Sequence, residues 1–301
     1  MTGRSPTMNL TSRLRTYGSL VALSHTVFAL PFAAAAVVLA HGVPHAPLTG
    51  RRLAAMLVCM VSARSSAMAY NRYADRDVDA KNPRTRARHL PAGLVTPREV
   101  LTLAAASGLL FVASAATLGT LPAILSPLVL AVLLGYSLSK RFTWGSHAWL
   151  GLALALAPGG AWIAAGAAPG VPIVLFMGAV LTWLLGFDVL YSLQDERFDK
   201  DHGLHSIPAR FGTRGALILS AGAHVATAVL LAFVGLLLHR GLFYGLAVAL
   251  TAALLAYEHA LVGRGDLRKI DKAFFDVNAW LSVGFFVLIL ADEWLRCLAG
   301  S

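Results

Sequence analysis

Residues 67–93 read AMAYNRYADRDVDAKNPRTRARHLPAG. The stretch begins as an apolar helix and ends as a basic loop broken by proline. At the seam stand Asn71, Asp75, Asp77 and Asp79, among Arg72, Arg76, Lys81, Arg84, Arg86 and Arg88. Three carboxylates and six cations at the mouth of one helix are unusual in this chain. Its 301 residues are 57% hydrophobic and only 13% charged. A soluble domain carries roughly 25% charged residues, so most of this surface is not built to face water.

Several runs reach the roughly 20 apolar residues that cross a bilayer as helix. The predicted fold is all-α and polytopic, with spans near 19–40, 53–72, 98–118, 122–139, 147–166, 172–193, 215–237, 242–262 and 273–296. The first run, "LVALSHTVFALPFAAAAVVLA", is longer than the apolar core of a signal peptide and many spans follow it. It reads as a retained first helix. One transmembrane domain over 1–301 is expected, with 1–17 as a cytoplasmic N-terminal segment.

The net charge of +10 would suggest nucleic acid in a soluble protein. Here the cations crowd into a few loops, which points to membrane topology and not to a nucleic-acid partner. With the N-terminus inside, 20 of the 25 Lys and Arg fall in cytoplasmic segments 1–17, 72–98, 140–146, 194–214 and 263–272. The other side keeps only Arg51, Arg52, Arg240 and Arg296, and Arg64 lies within the second span. The excess sets the N-terminus in the cytoplasm and the C-terminus outside. The default location is a bacterial inner membrane. Cys59 and Cys297 show neither metal-ligand spacing nor a disulfide framework.

A second acidic stretch, "FDVLYSLQDERFDKDHGLHSIPARFG", closes the sixth predicted span. Four spans separate it from the first, so both are expected on one side of the membrane. Asn71, Asp75 and Asp79 are spaced i, i+4, i+8; Asp188, Tyr191, Asp195 and Asp199 are spaced i, i+3, i+7, i+11. Residues three or four apart share a helix face. Each motif is therefore predicted to present a ladder of oxygen ligands. Eight of the 15 acids fall in 75–79 and 188–201. Hard oxygen donors suit Mg²⁺, which takes few carboxylates and completes its shell with water and phosphate. The plain alternative is a solvated loop of mixed charge.

At these residues the chain resembles the UbiA superfamily of intramembrane aromatic prenyltransferases. The resemblance is carried by Asn71, Asp75 and Asp79, by the following "NPRT" and "LPAG", by Asp188, Tyr191, Asp195 and Asp199, and by "YSLSKRFT" with Tyr136, Lys140 and Arg141. It implies nine helices around a central cavity, and transfer of a prenyl group from polyprenyl diphosphate to an aromatic acceptor with Mg²⁺. It further implies that Asn71, Asp75 and Asp79 bind one Mg²⁺ and that Asp195 and Asp199 bind a second. Lys140 and Arg141 would contact diphosphate, with Arg72 beside them, and Asp188 and Tyr191 would lie nearer the reacting carbon and acceptor. The implied acceptor is 4-hydroxybenzoate on a ubiquinone route, or 1,4-dihydroxy-6-naphthoate on a menaquinone route.

Remaining polar residues divide by position. Arg64 lies seven residues before Asn71, and an intramembrane arginine usually faces a cavity or partner; it is assigned to diphosphate or to an acceptor carboxylate. His25 reads as a packing histidine and His205 as a neighbour of phosphate. Glu258 and His259 read as a helix-end pair at the interface, and Asn278 as a hydrogen bonder between helices. Asp77 and Asp201 read as solvated. "GLALALAPGGAWIAAGAAPG" reads as small residues that permit close helix packing. The rival of another class is an ion-coupled transporter, whose ion sites usually lie at the bilayer midplane on broken helices. Here the acids crowd one interface, which favours the enzyme.

Overall fold

The computed structural model describes residues 16–21, 26–262 and 270–300. Among them there are nine long helices and no strand. They are α1 (Thr26–Ala40), α2 (Gly50–Ala74), α3 (Pro97–Ala116), α4 (Thr120–Ser139), α5 (Ser146–Ala164), α6 (Val171–Ser192), α7 (Ile207–Leu237), α8 (Leu242–Val262) and α9 (Ile270–Gly300). Seven of them, α2 to α8, are long and apolar enough to cross a membrane. Large apolar side chains such as Leu109 (73% exposed) and Leu242 (75%) stand on their outer surfaces. Such surface would be untenable in water and suits lipid. Residues 1–15 of the expected N-terminal segment, His25 and loop residues 263–269 lie outside the described residues.

Two short helices were not expected as separate elements. Arg76–Lys81 follows α2, and Glu196–Asp201 follows α6 through a 3₁₀ turn at Leu193–Asp195. The seventh helix also starts earlier than the predicted 215, at Ile207. Its Ser206 hydroxyl caps the Ala209 amide at 3.3 Å. The backbone then leaves helical geometry at Gly212, with φ 68° and ψ 174°, a conformation that glycine reaches without Cβ strain. The predicted start thus lies just past a real break.

The helices sort into two compact units. One holds Ala54–Leu138 with the turn at 16–21; the other holds Val27–Leu53 and the described residues from Ser139 on. In the first, Ser66 Oγ donates to the Ala104 carbonyl at 2.8 Å and Ser114 Oγ to the Ala55 carbonyl at 3.1 Å, joining α3 to α2. Leu20, Val21, Ala69, Val95, Val100 and Ala104 form its apolar core beneath the basic loop.

In the second unit α6 packs between α5 and α7, and α8 packs on α7 and α9. Close approach follows from the small residues. A Cβ on Gly151 would stand 2.5 Å from the Leu181 carbonyl oxygen, and one on Gly159 would stand 2.5 Å from Met177 Sδ. The glycine-rich segment therefore serves packing, as expected. Phe32, Phe176, Trp183 and Phe285 gather in the interior, with ring centroids 4.8 to 6.0 Å apart.

Candidate active site

The first acidic motif is built across a helix break. α2 ends at Ala74, Asp75 takes φ −89° and ψ 0°, and a new six-residue helix starts at Arg76. Asn71 sits on one helix, Asp79 on the next and Asp75 on the joint, and the amides of Asp75 and Asp79 still donate to the carbonyls of Asn71 (2.9 Å) and Asp75 (2.7 Å), so the i, i+4 register runs through the kink. Asn71 Nδ2 donates to Asp75 Oδ2 at 2.9 Å. Asp79 is buried, and Arg88 Nη1 donates to both of its oxygens at 2.8 and 2.9 Å. Asn82 and Thr85, both buried, shape the loop that returns Arg88. Asn82 Oδ1 accepts from the Arg84 amide, and Thr85 Oγ1 donates to the Asp79 carbonyl.

The second motif repeats this construction. Asp188 and Tyr191 lie on α6, Asp195 takes φ −100° and ψ 2° at the break, and Asp199 lies on the following short helix. In both motifs the middle aspartate occupies the bridge region of backbone space, where active-site residues are common. Asp195 and Asp199 are buried. Lys140 Nζ stands 3.7 Å from Asp199 Oδ2, which accepts no hydrogen bond. The Lys140 carbonyl also accepts from the His205 amide at 2.8 Å, so the loop after α4 is fastened to the loop after Asp199. Arg141 is exposed, as is His205. Tyr191 is half-buried, its ring 6.1 Å from that of Phe187.

The donor set fits a hard divalent cation. Every candidate ligand is an amide or carboxylate oxygen, and Asp199 Oδ2 is a buried anionic atom lacking a hydrogen bond. Leaving such an atom uncompensated is costly, so a cation beyond Lys140 is accommodated readily. Among the described residues no three His, Cys, Asp or Glu side chains converge as a finished cage. Mg²⁺ needs no such cage, since it keeps waters and shares substrate phosphates. Asp79 is the exception, because both of its oxygens are already engaged by Arg88.

Arg64 and Arg72 are half-buried on α2. Arg72 Nε is buried and makes no hydrogen bond. His89, in the loop past the first motif, is held below its ordinary value of 6.5 by burial first and by the Arg72 charge second. Its Nε2 lies 2.8 Å from Ser19 Oγ. Asp77 and Asp201 have side chains 78% and 63% exposed, which agrees with solvated acids.

Two findings depart from the sequence reading. Glu258, near the end of α8, is more than a plain helix-end acid: it is fully buried and hydrogen-bonded to Asn278, whose Oδ1 in turn accepts from Trp183 Nε1 at 2.8 Å. The expected bonding of Asn278 between helices is present. His147 was not singled out at all. It is fully buried, and its Nδ1 lies 2.6 Å from Asp188 Oδ2. The available signal was a histidine in the first turn of a span that starts just after the "YSLSKRFT" motif.

Long apolar helices, with two aspartate motifs each flanked by lysine or arginine, define an integral membrane protein whose acidic groups are concentrated in those motifs. The chain belongs to the UbiA prenyltransferase family, whose sequence profile matches residues 29–287, and it is a prenyltransferase. It is 30% identical to a 4-hydroxybenzoate octaprenyltransferase of Nitrosospira multiformis, covering 96% of this chain and 99% of that one. It is 32% identical to the enzyme of that name from Methylococcus capsulatus, over 77% and 79% of the two chains. Among solved structures, the apo UbiA homolog from Aeropyrum pernix matches with a TM-score of 0.81 at 35% identity, covering 89% of this chain and 98% of that one. The UbiA homolog from Archaeoglobus fulgidus bound to GPP and Mg²⁺ shares the fold, with a TM-score of 0.70 at 21% identity over 91% and 99% of the chains.

Proposed function

We propose that the chain works as a single prenyltransferase domain that moves a polyprenyl group from polyprenyl diphosphate to 4-hydroxybenzoate, with Mg²⁺, in quinone biosynthesis. The observation that carries the acceptor is the agreement of the relatives: enzymes named for 4-hydroxybenzoate align over 75% to 96% of this chain. The Archaeoglobus homolog, alike in fold, binds GPP with Mg²⁺, and the oxygen-only donor sets here agree with such a substrate.

In this reading Asn71, Asp75 and Asp79 are ligands of one Mg²⁺, and Asp195 and Asp199 are ligands of another. Mg²⁺ held there supplies positive charge against the charge that grows on the departing diphosphate. Arg72, Lys140 and Arg141 take up remaining phosphate oxygens, and Arg64 takes a phosphate or the acceptor carboxylate. For Asp79 to bind metal, Arg88 must turn its guanidinium from the carboxylate toward phosphate. Asp188 and Tyr191 meet the acceptor. The C–O bond of the prenyl diphosphate breaks with its electron pair leaving on the diphosphate. The ring carbon bonds the allylic carbon and then loses its proton. The apolar helices keep water from the allylic cation. The N-terminus and both acidic motifs are assigned to the cytoplasmic side of a bacterial inner membrane.

Membranes carrying the protein are offered polyprenyl diphosphates with 4-hydroxybenzoate or 1,4-dihydroxy-6-naphthoate, and products are read by mass spectrometry. Prenylated 4-hydroxybenzoate is expected, with turnover lost in excess chelator. Asp75→Ala and Asp195→Ala should each lower turnover by about 100-fold or more while the protein still inserts. Undiminished turnover in chelator would refute the metal role, and product from the naphthoate alone would reassign the acceptor.

A further inference from the structure

His147 lies in the first turn of α5 and touches two other helices of its unit. Its Nδ1 is 2.6 Å from Asp188 Oδ2 on α6. Its Nε2 accepts from the Ile207 amide, at the start of α7, at 3.3 Å. The Ile207 N–H can only donate, so Nε2 must offer its lone pair. The ring proton of a neutral imidazole then resides on Nδ1 and is donated to Asp188. One backbone amide thereby fixes the tautomer, and the tautomer fixes how the carboxylate is held.

Burial separates the roles of the pair. The His147 side chain is fully buried, whereas that of Asp188 remains 17% exposed. The imidazole therefore cannot reach a substrate, but the carboxylate can. A carboxylate that receives a short N–H bond stays an ionised acceptor of further hydrogen bonds and cannot swing out of register. The first turn of α7 is itself secured by the Ser206 cap, so the donor that sets the tautomer is rigid.

From this geometry we infer that His147 is a positioning residue of the transfer reaction: through Nδ1–H it holds the Asp188 carboxylate, ionised and aimed, against the aromatic acceptor. The inference rests on the functional reading above, in which Asp188 meets the acceptor. It adds a residue outside both aspartate motifs. It also makes the start of α7 part of the acceptor side through a main-chain amide, without substrate contact.

The test is a set of variants assayed for both substrates, with folding checked by thermal unfolding in detergent. In His147→Asn the amide N–H stands roughly where Nδ1–H does, while His147→Leu offers no donor. His147→Leu should lower kcat/KM for the aromatic acid by about 30-fold or more, leaving KM for polyprenyl diphosphate unchanged, and His147→Asn should recover to within about five-fold of wild type. The double variant Asp188→Asn with His147→Leu should be no slower than Asp188→Asn alone, since the histidine acts only through that carboxylate. Equal losses in the Asn and Leu variants, with losses that multiply in the double variant, would overturn the inference and leave His147 a packing residue.

A wild-type protein that prenylates no aromatic acid would instead overturn the functional reading. The nitrogen-15 spectrum of the His147 ring then decides the geometry without activity. A protonated Nδ1 and bare Nε2, perturbed by Asp188→Asn, are expected. A bare Nδ1 would overturn the assignment.

Discussion

At the scale of single residues, the two motifs show how a carboxylate is kept ready. Asp79 and Asp199 are both buried and both answered by a basic side chain, Arg88 or Lys140, brought in from a loop. The difference lies in what each leaves over. Asp79 is fully engaged, and Asp199 keeps one oxygen that accepts no hydrogen bond. Loss of Arg88 should therefore matter even without substrate. Arg88→Ala leaves a buried carboxylate without its bidentate donor and is expected to destabilise the fold by about 3 kcal/mol, read as a lowered unfolding midpoint in detergent. His89 gives a pH signature of the same region. Its folded pKa lies below the unfolded 6.5, so its contribution is fully present above that value and is lost as pH falls through the folded pKa. Unfolding midpoints of wild type should drop between pH 7 and pH 5, and His89→Gln should flatten that slope. An identical slope in the variant would remove His89 as its source.

At the scale of elements, the helices end where neighbours catch their free backbone groups. α3 carries its own signal, since Thr96 and Glu99 form a capping box that can be read directly from the sequence. α8 does not. Its first amides, Gly241 and Tyr244, are accepted by Asp292 of α9 at 3.2 and 3.1 Å. Arg240 beside them pairs with Glu293 and donates to the Leu39 carbonyl at the end of α1 at 3.0 Å. Asp292→Ala should cost about 1–3 kcal/mol, because two amides lose their acceptor in a buried setting; thermal unfolding of the purified protein measures it. Close packing gives a sharper case. Gly151→Ala would drive a Cβ against the Leu181 carbonyl, and overpacking against backbone costs about 1–3 kcal/mol. A neutral Gly151→Ala would show that α5 and α6 can part without penalty.

At the scale of the whole molecule, the composition demands a bilayer and the loop charges predict an orientation. That orientation makes a labelling experiment decisive. Cys297, exposed near the C-terminal end of α9, should react in intact cells with a membrane-impermeant maleimide in a Cys59→Ala background. A cysteine placed at the exposed Arg86 should react only after permeabilisation. The reverse pattern would invert the topology and place both acidic motifs outside.

Hydropathy and spacing alone determined the all-helical class, the positions of nearly all the long helices and the two clusters of aspartates. Those features depend on the local run of apolar residues and on charge, which a linear chain displays openly. The motifs also carried the proposal of a bound cation, since clustered acids repel one another unless positive charge joins them. What the sequence did not show was the kink inside each motif. The ladder from Asn71 to Asp79 turns at Asp75, and the second motif turns at Asp195. The sequence read Glu258 as a helix-end residue and did not show that Asn278 binds it inside the helix packing. It passed over His147, because one histidine at a helix start looks the same whether it packs or positions. Only tertiary structure decided these points. The last two depend on partners distant in sequence, 41 residues away for His147 with Asp188 and 20 for Glu258 with Asn278. The fold alone determines whether a buried polar atom meets its complement.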